Sequence, residues 1–167
     1  MGMWTVYLWA AAVIGMKFRK KRAITEFLKS GAKADFELWS SLKEGKIEVV
    51  NWPLCKVLLV DDANFPCWLV LVPQQNGLRE LTDLSKADSD LLWGEILRAC
   101  RAVQELCHPK KLNVATLGNV CKQLHIHITA RNCEDPAWPG PCYGAVEPKP
   151  LDKEHLQLLV SQLDRLL

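Results

Sequence analysis

Residues 123–131 read QLHIHITAR, and this stretch constrains the fold more than any other. Apolar and polar side chains alternate along it, and in a strand successive side chains point to opposite faces. Leu124, Ile126 and Ile128 therefore share one face, the natural core side. Gln123, His125, His127 and Thr129 share the other. That polar row has three readings: a solvated sheet face, a metal site or an active site.

Two histidines at i and i+2 on one face stand about 7 Å apart at Cβ. The separation is wide for a shared proton but suits a grip on one phosphate group from two sides. Neutral imidazole is a competent nucleophile toward phosphorus and leaves well when protonated. A second histidine can hold a non-bridging oxygen or assist the leaving group. Gln123 and Thr129 can add hydrogen bonds, and Gly118-Asn119 just upstream offers a close backbone approach and an amide. For a metal the partners would be Cys121, Cys133 or Cys142, but no CxxC or HExxH spacing occurs and the strand has no acidic ligand. No resident metal or cofactor is expected.

Three β-rich runs precede this strand, at 47–52, 56–61 and 67–73. The short DANFP link between the second and third predicts an antiparallel hairpin. A long helix is expected over 85–107, opened by Ser85 with Asp88 three residues on. Leu92, Ile96, Cys100, Val103 and Cys107 make its apolar stripe, and Pro109 bars continuation. KLNVATLG (111–118) reads as a fourth strand and QLHIHITAR as the fifth. Residues 134–144 are a Pro/Gly-rich loop, and 152–167 a helix with Leu156, Leu159, Val160, Leu163 and Leu167 on one stripe. Strands joined by short links predict an antiparallel α+β sheet. Trp39, Trp52, Trp68 and Trp93 fall in periodic patterns and read as core. Trp138 sits in the loop with no periodic reason to be buried and is a candidate platform for substrate.

A chain of 167 residues suits one domain and is short for two. Its net charge of +2 conceals an asymmetry. Residues 1–33 hold seven Lys/Arg and one acid, whereas the remainder carries a net −4. A basic excess confined to one terminal segment argues against nucleic acid as a partner. Seven cysteines, an odd number with several in apolar runs, point to a reducing compartment, cytoplasm or organellar matrix. In the N-terminal segment an apolar run (3–16) precedes KFRKKR, the reverse of a secretory signal. The run is shorter than the ~20 residues of a spanning helix. Membrane contact through residues 1–22, organellar targeting and a functionless extension all stay open, with an extension outside the fold preferred. The expected divisions are an N-terminal extension (1–33), a globular domain (34–144), and a linker with an amphipathic helix (145–167).

The full stretch LGNVCKQLHIHITARNCEDPAWPGPCYG resembles the signature of the histidine triad (HIT) superfamily, a His-φ-His-φ-His-φ-φ run after a glycine loop with Trp-Pro downstream. Gly118 stands five residues before Gln123, and Trp138-Pro139 matches the downstream pair. The resemblance covers about residues 35–144. It departs at the first triad position, where Gln123 replaces histidine, as in a bacterial-type branch of the superfamily. It implies a five-stranded antiparallel sheet with one long helix, and a nucleotide hydrolase or nucleotidyl transferase acting on a phosphoanhydride or phosphoramidate. The nucleophile that becomes nucleotidylated falls on His125, a phosphate contact on His127, and a ribose contact on Asp62, with Asp61 the weaker match. Gln123 would orient its neighbours, so Gln123→His is expected to keep or raise activity. A purine nucleotide or dinucleoside polyphosphate is the implied ligand, with Mg²⁺ only as its companion, and a homodimer the implied assembly. The alternative is a nucleotide-binding module without useful turnover.

Overall fold

The structure is a computed structural model, and it describes residues 35–167. The N-terminal extension, with its membrane and targeting readings, lies outside the described residues. A four-residue helix α1 (Ser40–Lys43) leads into β1 (Lys46–Asn51), β2 (Cys55–Val60) and β3 (Trp68–Pro73). After a 3₁₀ turn at Leu81–Asp83 come the long helix α2 (Lys86–Cys107), β4 (Lys111–Ala115), β5 (Ile126–Arg131) and α3 (Lys153–Leu166). The five strands form one sheet in the order β1-β2-β3-β5-β4, and every pairing is antiparallel. The expected α+β architecture, with one long helix and a C-terminal helix, is present.

Alternation decides which side of the sheet each residue serves. Val57, Leu59, Leu69, Leu71, Ile126 and Ile128 join Leu92, Ile96, Ala99 and Val103 of α2 and Leu159 and Leu163 of α3 in the main core. Each Val, Leu or Ile among them contributes about 1.5–3 kcal/mol by leaving water. Ser85 caps α2, its side chain accepting from the Asp88 N–H, and His108 ends the helix in a left-handed conformation. One carboxylate inside this core has a fixed duty: Glu95 accepts from the main-chain N–H groups of Leu54 (2.9 Å) and Cys55 (2.8 Å) and so fastens α2 to the β1–β2 turn. The opposite sheet face carries a smaller cluster of Leu42, Leu58, Val70 and Val72, with Phe36, Leu38, Val60, Trp68 and Cys121 against it.

Two strands are shorter than their patterns. β4 stops at Ala115, and the β5 ladder starts only at Ile126. The residues before Ile126 are bonded elsewhere, since the Leu124 N–H donates to the Leu78 carbonyl and Gln123 turns to another segment. Of the four tryptophans expected in the core, Trp52 is buried, but Trp39 and Trp93 are 45% and 60% exposed. Trp68 is partly buried on the opposite sheet face.

Candidate active site

His125 lies one residue before β5 and His127 lies within it. They are 6% and 8% exposed, and their ring centroids are 4.9 Å apart at 79°. His125 Nδ1 lies 2.6 Å from the main-chain carbonyl oxygen of Gln123. A carbonyl only accepts, so Nδ1 carries the proton, and in the neutral ring Nε2 then keeps its lone pair. That is the nucleophilic form of the ring. The same bond strengthens as positive charge grows on the imidazole during attack.

His127 is held differently. Its Nδ1 accepts the indole N–H of Trp68 at 3.0 Å. Trp68 pairs with Thr129 and Val70 with His127, so Trp68 and His127 meet diagonally on one face. Tyr143 closes the other side, its ring centroid 5.1 Å from that of His127. Burial pushes the His127 pKa down to about 4, helped by the charges of His125 and Lys46. The imidazole is therefore neutral at neutral pH. Lys46 pairs with Val60, and its ammonium donates to the carbonyls of Ser41 (3.1 Å) and Glu44 (3.0 Å).

Gln123 shares the histidine face, but its amide is spent inside the protein. Oε1 accepts the Trp39 N–H (3.0 Å) and Nε2 donates to the Glu37 carbonyl (2.9 Å). Asn76 repeats the pattern two residues earlier: Oδ1 accepts the Glu37 N–H (3.2 Å) and Nδ2 donates to the Asp35 carbonyl (2.7 Å). Each amide grips residues j−1 and j+1 of the arm 35–39, as a neighbouring parallel strand would. The residues between the grips are Phe36 and Leu38, which pack on the apolar cluster of the histidine face. The first triad position is thus a clamp on this arm.

Downstream, Thr129 is completely buried, with Cys142 Sγ 3.9 Å from its hydroxyl. It faces protein where the sequence pattern offered it to a phosphate. Arg131, 1% exposed, makes a bidentate pair with Asp135 (2.8 and 2.9 Å) and also donates to Asn113 (2.7 Å) and the Gly140 carbonyl (2.9 Å). The pairing holds the Asp135 carboxyl below its usual range. Trp138, expected as a free platform, lies over this guanidinium with its ring 6.0 Å away. Asp62 is buried, and its Oδ1 accepts the N–H groups of Asn64 (3.0 Å) and Lys149 (3.2 Å). Asp61 accepts from the Leu151 N–H (2.8 Å). Both aspartates therefore tie down the segment leading to α3. Gly118 adopts a φ of +74°, the left-handed region that favours glycine, and Asn119 is exposed in the loop that follows. Among the described residues no group of three or more His, Cys, Asp or Glu is placed to hold a metal ion.

The structure thus joins His125 and His127 and adds Trp68, Tyr143 and Lys46, which sequence reasoning missed. Nothing in the chain order signals the Trp68–His127 bond, because it depends on how β3 and β5 register. Comparison with known proteins follows the same lines. The HIT domain family matches residues 45–133. No curated protein matches the chain. Among solved structures, a histidine triad protein from Bradyrhizobium japonicum is 43% identical, over 78% of this chain and 96% of that one, with a TM-score of 0.76. One from Marinobacter aquaeolei VT8 is 36% identical over 79% and 96%, with a TM-score of 0.76. One from Sinorhizobium meliloti 1021 is 30% identical over 81% and 99%, with a TM-score of 0.78. With its sheet, its paired histidines and these relatives, the chain belongs to the histidine triad (HIT) family.

Proposed function

We propose that the protein is a nucleotide hydrolase or nucleotidyl transferase that acts at an α-phosphate through a nucleotidyl-His125 intermediate. The observation that carries this reading is the bond from His125 Nδ1 to the Gln123 carbonyl, which leaves Nε2 unprotonated beside a second, neutral imidazole. In the first step Nε2 bonds the α-phosphorus, and the P–O or P–N bond to the leaving group breaks. The leaving group, a phosphate, pyrophosphate or amine, takes the electron pair. In the second step water bonds the same phosphorus, the P–Nε2 bond breaks, and the mononucleotide departs. The partly buried Phe36 and Leu38 beside the row suit a purine base. Asp62 and Asn119 remain the proposed ribose and phosphate contacts, and Mg²⁺ enters only on a polyphosphate substrate. The described cysteines are all free, which suits a reducing compartment.

A homodimer belongs to the same proposal. β4 is an outer strand of the sheet. Beside it Trp93 and Val114 are exposed around an apolar cavity of about 320 Å³, also lined by Leu81, Leu84 and Ile96. An open edge next to an apolar patch favours pairing with a second copy. Sedimentation at micromolar concentration should show two chains, and a monomer would reject it.

The rival reading, a binding module without turnover, draws on one observation: Gln123 and Thr129 are committed inside the protein, so only two histidines are left for the phosphate. Incubation with a dinucleoside polyphosphate separates the two readings. Release of mononucleotide, lost about 10³-fold or more in His125→Ala, supports the enzyme. Tight binding with no release from either protein supports the module.

A further inference from the structure

We infer that Trp68 is a positioning residue of the histidine pair: its indole N–H locks His127 in one neutral tautomer, so that this imidazole meets the phosphate as a hydrogen-bond donor through Nε2–H. The donor role rests on the reaction proposed above. The tautomer itself does not, and it follows from geometry. An indole nitrogen has a hydrogen and no available lone pair, so it can only donate. At 3.0 Å from His127 Nδ1 it requires a lone pair there. A neutral imidazole has one N–H, which must then sit on Nε2. Protonating Nδ1 would set two N–H groups against each other and break the bond.

The surroundings of Trp68 make this arrangement rigid. Its ring packs edge-on against Phe65 (5.9 Å, 85°) and Tyr143 (5.7 Å, 68°), and His127 touches both Trp68 (5.5 Å) and Tyr143 (5.1 Å). The indole therefore cannot turn away without unstacking two neighbours. The titratable or charged groups that face His127 are His125 on its own strand, Lys46 from β1 and Tyr143 from the loop. Burial raises the Tyr143 pKa, so that phenol stays neutral, while burial of His127 itself, then His125 and Lys46, oppose a charge on this ring. Among the described residues no carboxylate offsets them.

The consequence is a division of labour between two identical side chains. Main-chain Gln123 holds His125 with its proton on Nδ1 and its lone pair outward. Trp68 holds His127 the opposite way, with its lone pair inward and its proton outward. A nucleophile and a donor thus stand side by side, set by the partner on the inner nitrogen of each ring. A pair of histidines free to exchange tautomers would spend part of the time with two donors or two acceptors facing the phosphate.

The test uses the full chain labelled with ¹⁵N. Long-range ¹H–¹⁵N spectra at pH 7 should show His127 as the Nε2–H tautomer alone. Trp68→Phe keeps an aromatic ring against Phe65 and Tyr143 but removes the N–H. In that variant the Nδ1–H form should appear, and the His127 midpoint should rise above its wild-type value of about 4, because protonation no longer breaks the Trp68 bond, while burial, His125 and Lys46 still hold it below an ordinary imidazole. A charged His127 beside His125 weakens the nucleophile, so the acidic limb of kcat should move to higher pH, and loss of the fixed Nε2–H donor should lower kcat at pH 7 roughly 3- to 10-fold. A wild-type His127 carrying its proton on Nδ1, or exchanging between tautomers, overturns the inference without any variant. So does a folded Trp68→Phe protein with unchanged tautomer and pH profile. If the tautomer shifts as expected while neither protein turns over a nucleotide, the lock stands and the proposed reaction falls.

Discussion

The two ends of the histidine row are fastened in opposite ways. Upstream, the neutral amides of Gln123 and Asn76 hold the arm 35–39 by four hydrogen bonds to its main chain. Downstream, Arg131 and Asp135, with side chains 1% and 8% exposed, hold the loop 132–144 by a buried ion pair. Ordinary hydrogen bonds contribute about 0.5–1.5 kcal/mol each, and water can replace them when the arm lifts. Separating a buried ion pair leaves charge without solvent, at a cost of about 3–5 kcal/mol. The contrast assigns different work to the two ends. The arm, which carries Phe36 and Leu38, can yield to a ligand, while the loop is a fixed wall behind Thr129 and Tyr143.

The largest effect should come from the wall. Asp135→Ala leaves Arg131 buried without its carboxylate and should destabilise the fold by about 3–5 kcal/mol in urea unfolding. A loss under about 1 kcal/mol would erase the contrast between the two ends. A smaller effect is expected at the arm, and of a different kind. Gln123→Ala should raise KM about tenfold while kcat stays within about threefold, because in the proposed reaction the arm lines the substrate and does no chemistry. A drop in kcat at unchanged KM would place Gln123 in the reaction and break the comparison. Gln123→His should behave like the alanine variant. An amide presents donor and acceptor side by side toward Glu37 and Trp39, whereas the two nitrogens of an imidazole point apart. The expectation that His at this position keeps or raises activity is therefore reversed.

How much of this was legible in the chain follows from how local each signal is. The alternation of residues 123–131 placed Ile126 and Ile128 in the core and His127 on the far face, and Ser85 marked the start of α2. These signals span a few residues. The hairpin between β2 and β3 was equally local. The contacts that define the site span far more. Trp68 reaches His127 across 59 positions, Gln123 reaches the arm across 84 and 86, and Asp62 and Asp61 reach the tail across 87 and 90. No periodicity within one element carries such a pairing. For that reason the internal partners of Asp62 and Trp138 could not be read from the sequence, which offered them only as candidate ligand contacts. Trp39 and Trp93 failed as core for a related reason: a stripe records which residues could be covered, and the covering surface has to come from elsewhere in the chain or from another molecule.

The central claim is that the protonated Nδ1 of His125 leaves Nε2 as the nucleophile, and the intermediate itself tests this most directly. The full chain is mixed with a dinucleoside polyphosphate, quenched within milliseconds to seconds under alkaline conditions that preserve phosphoramidates, digested and mapped by mass spectrometry. The account predicts a nucleoside monophosphate adduct on the peptide containing residues 123–131, localised to His125, lost on acid treatment and absent in His125→Ala. An adduct on His127, or steady turnover with no adduct on either histidine, would contradict it.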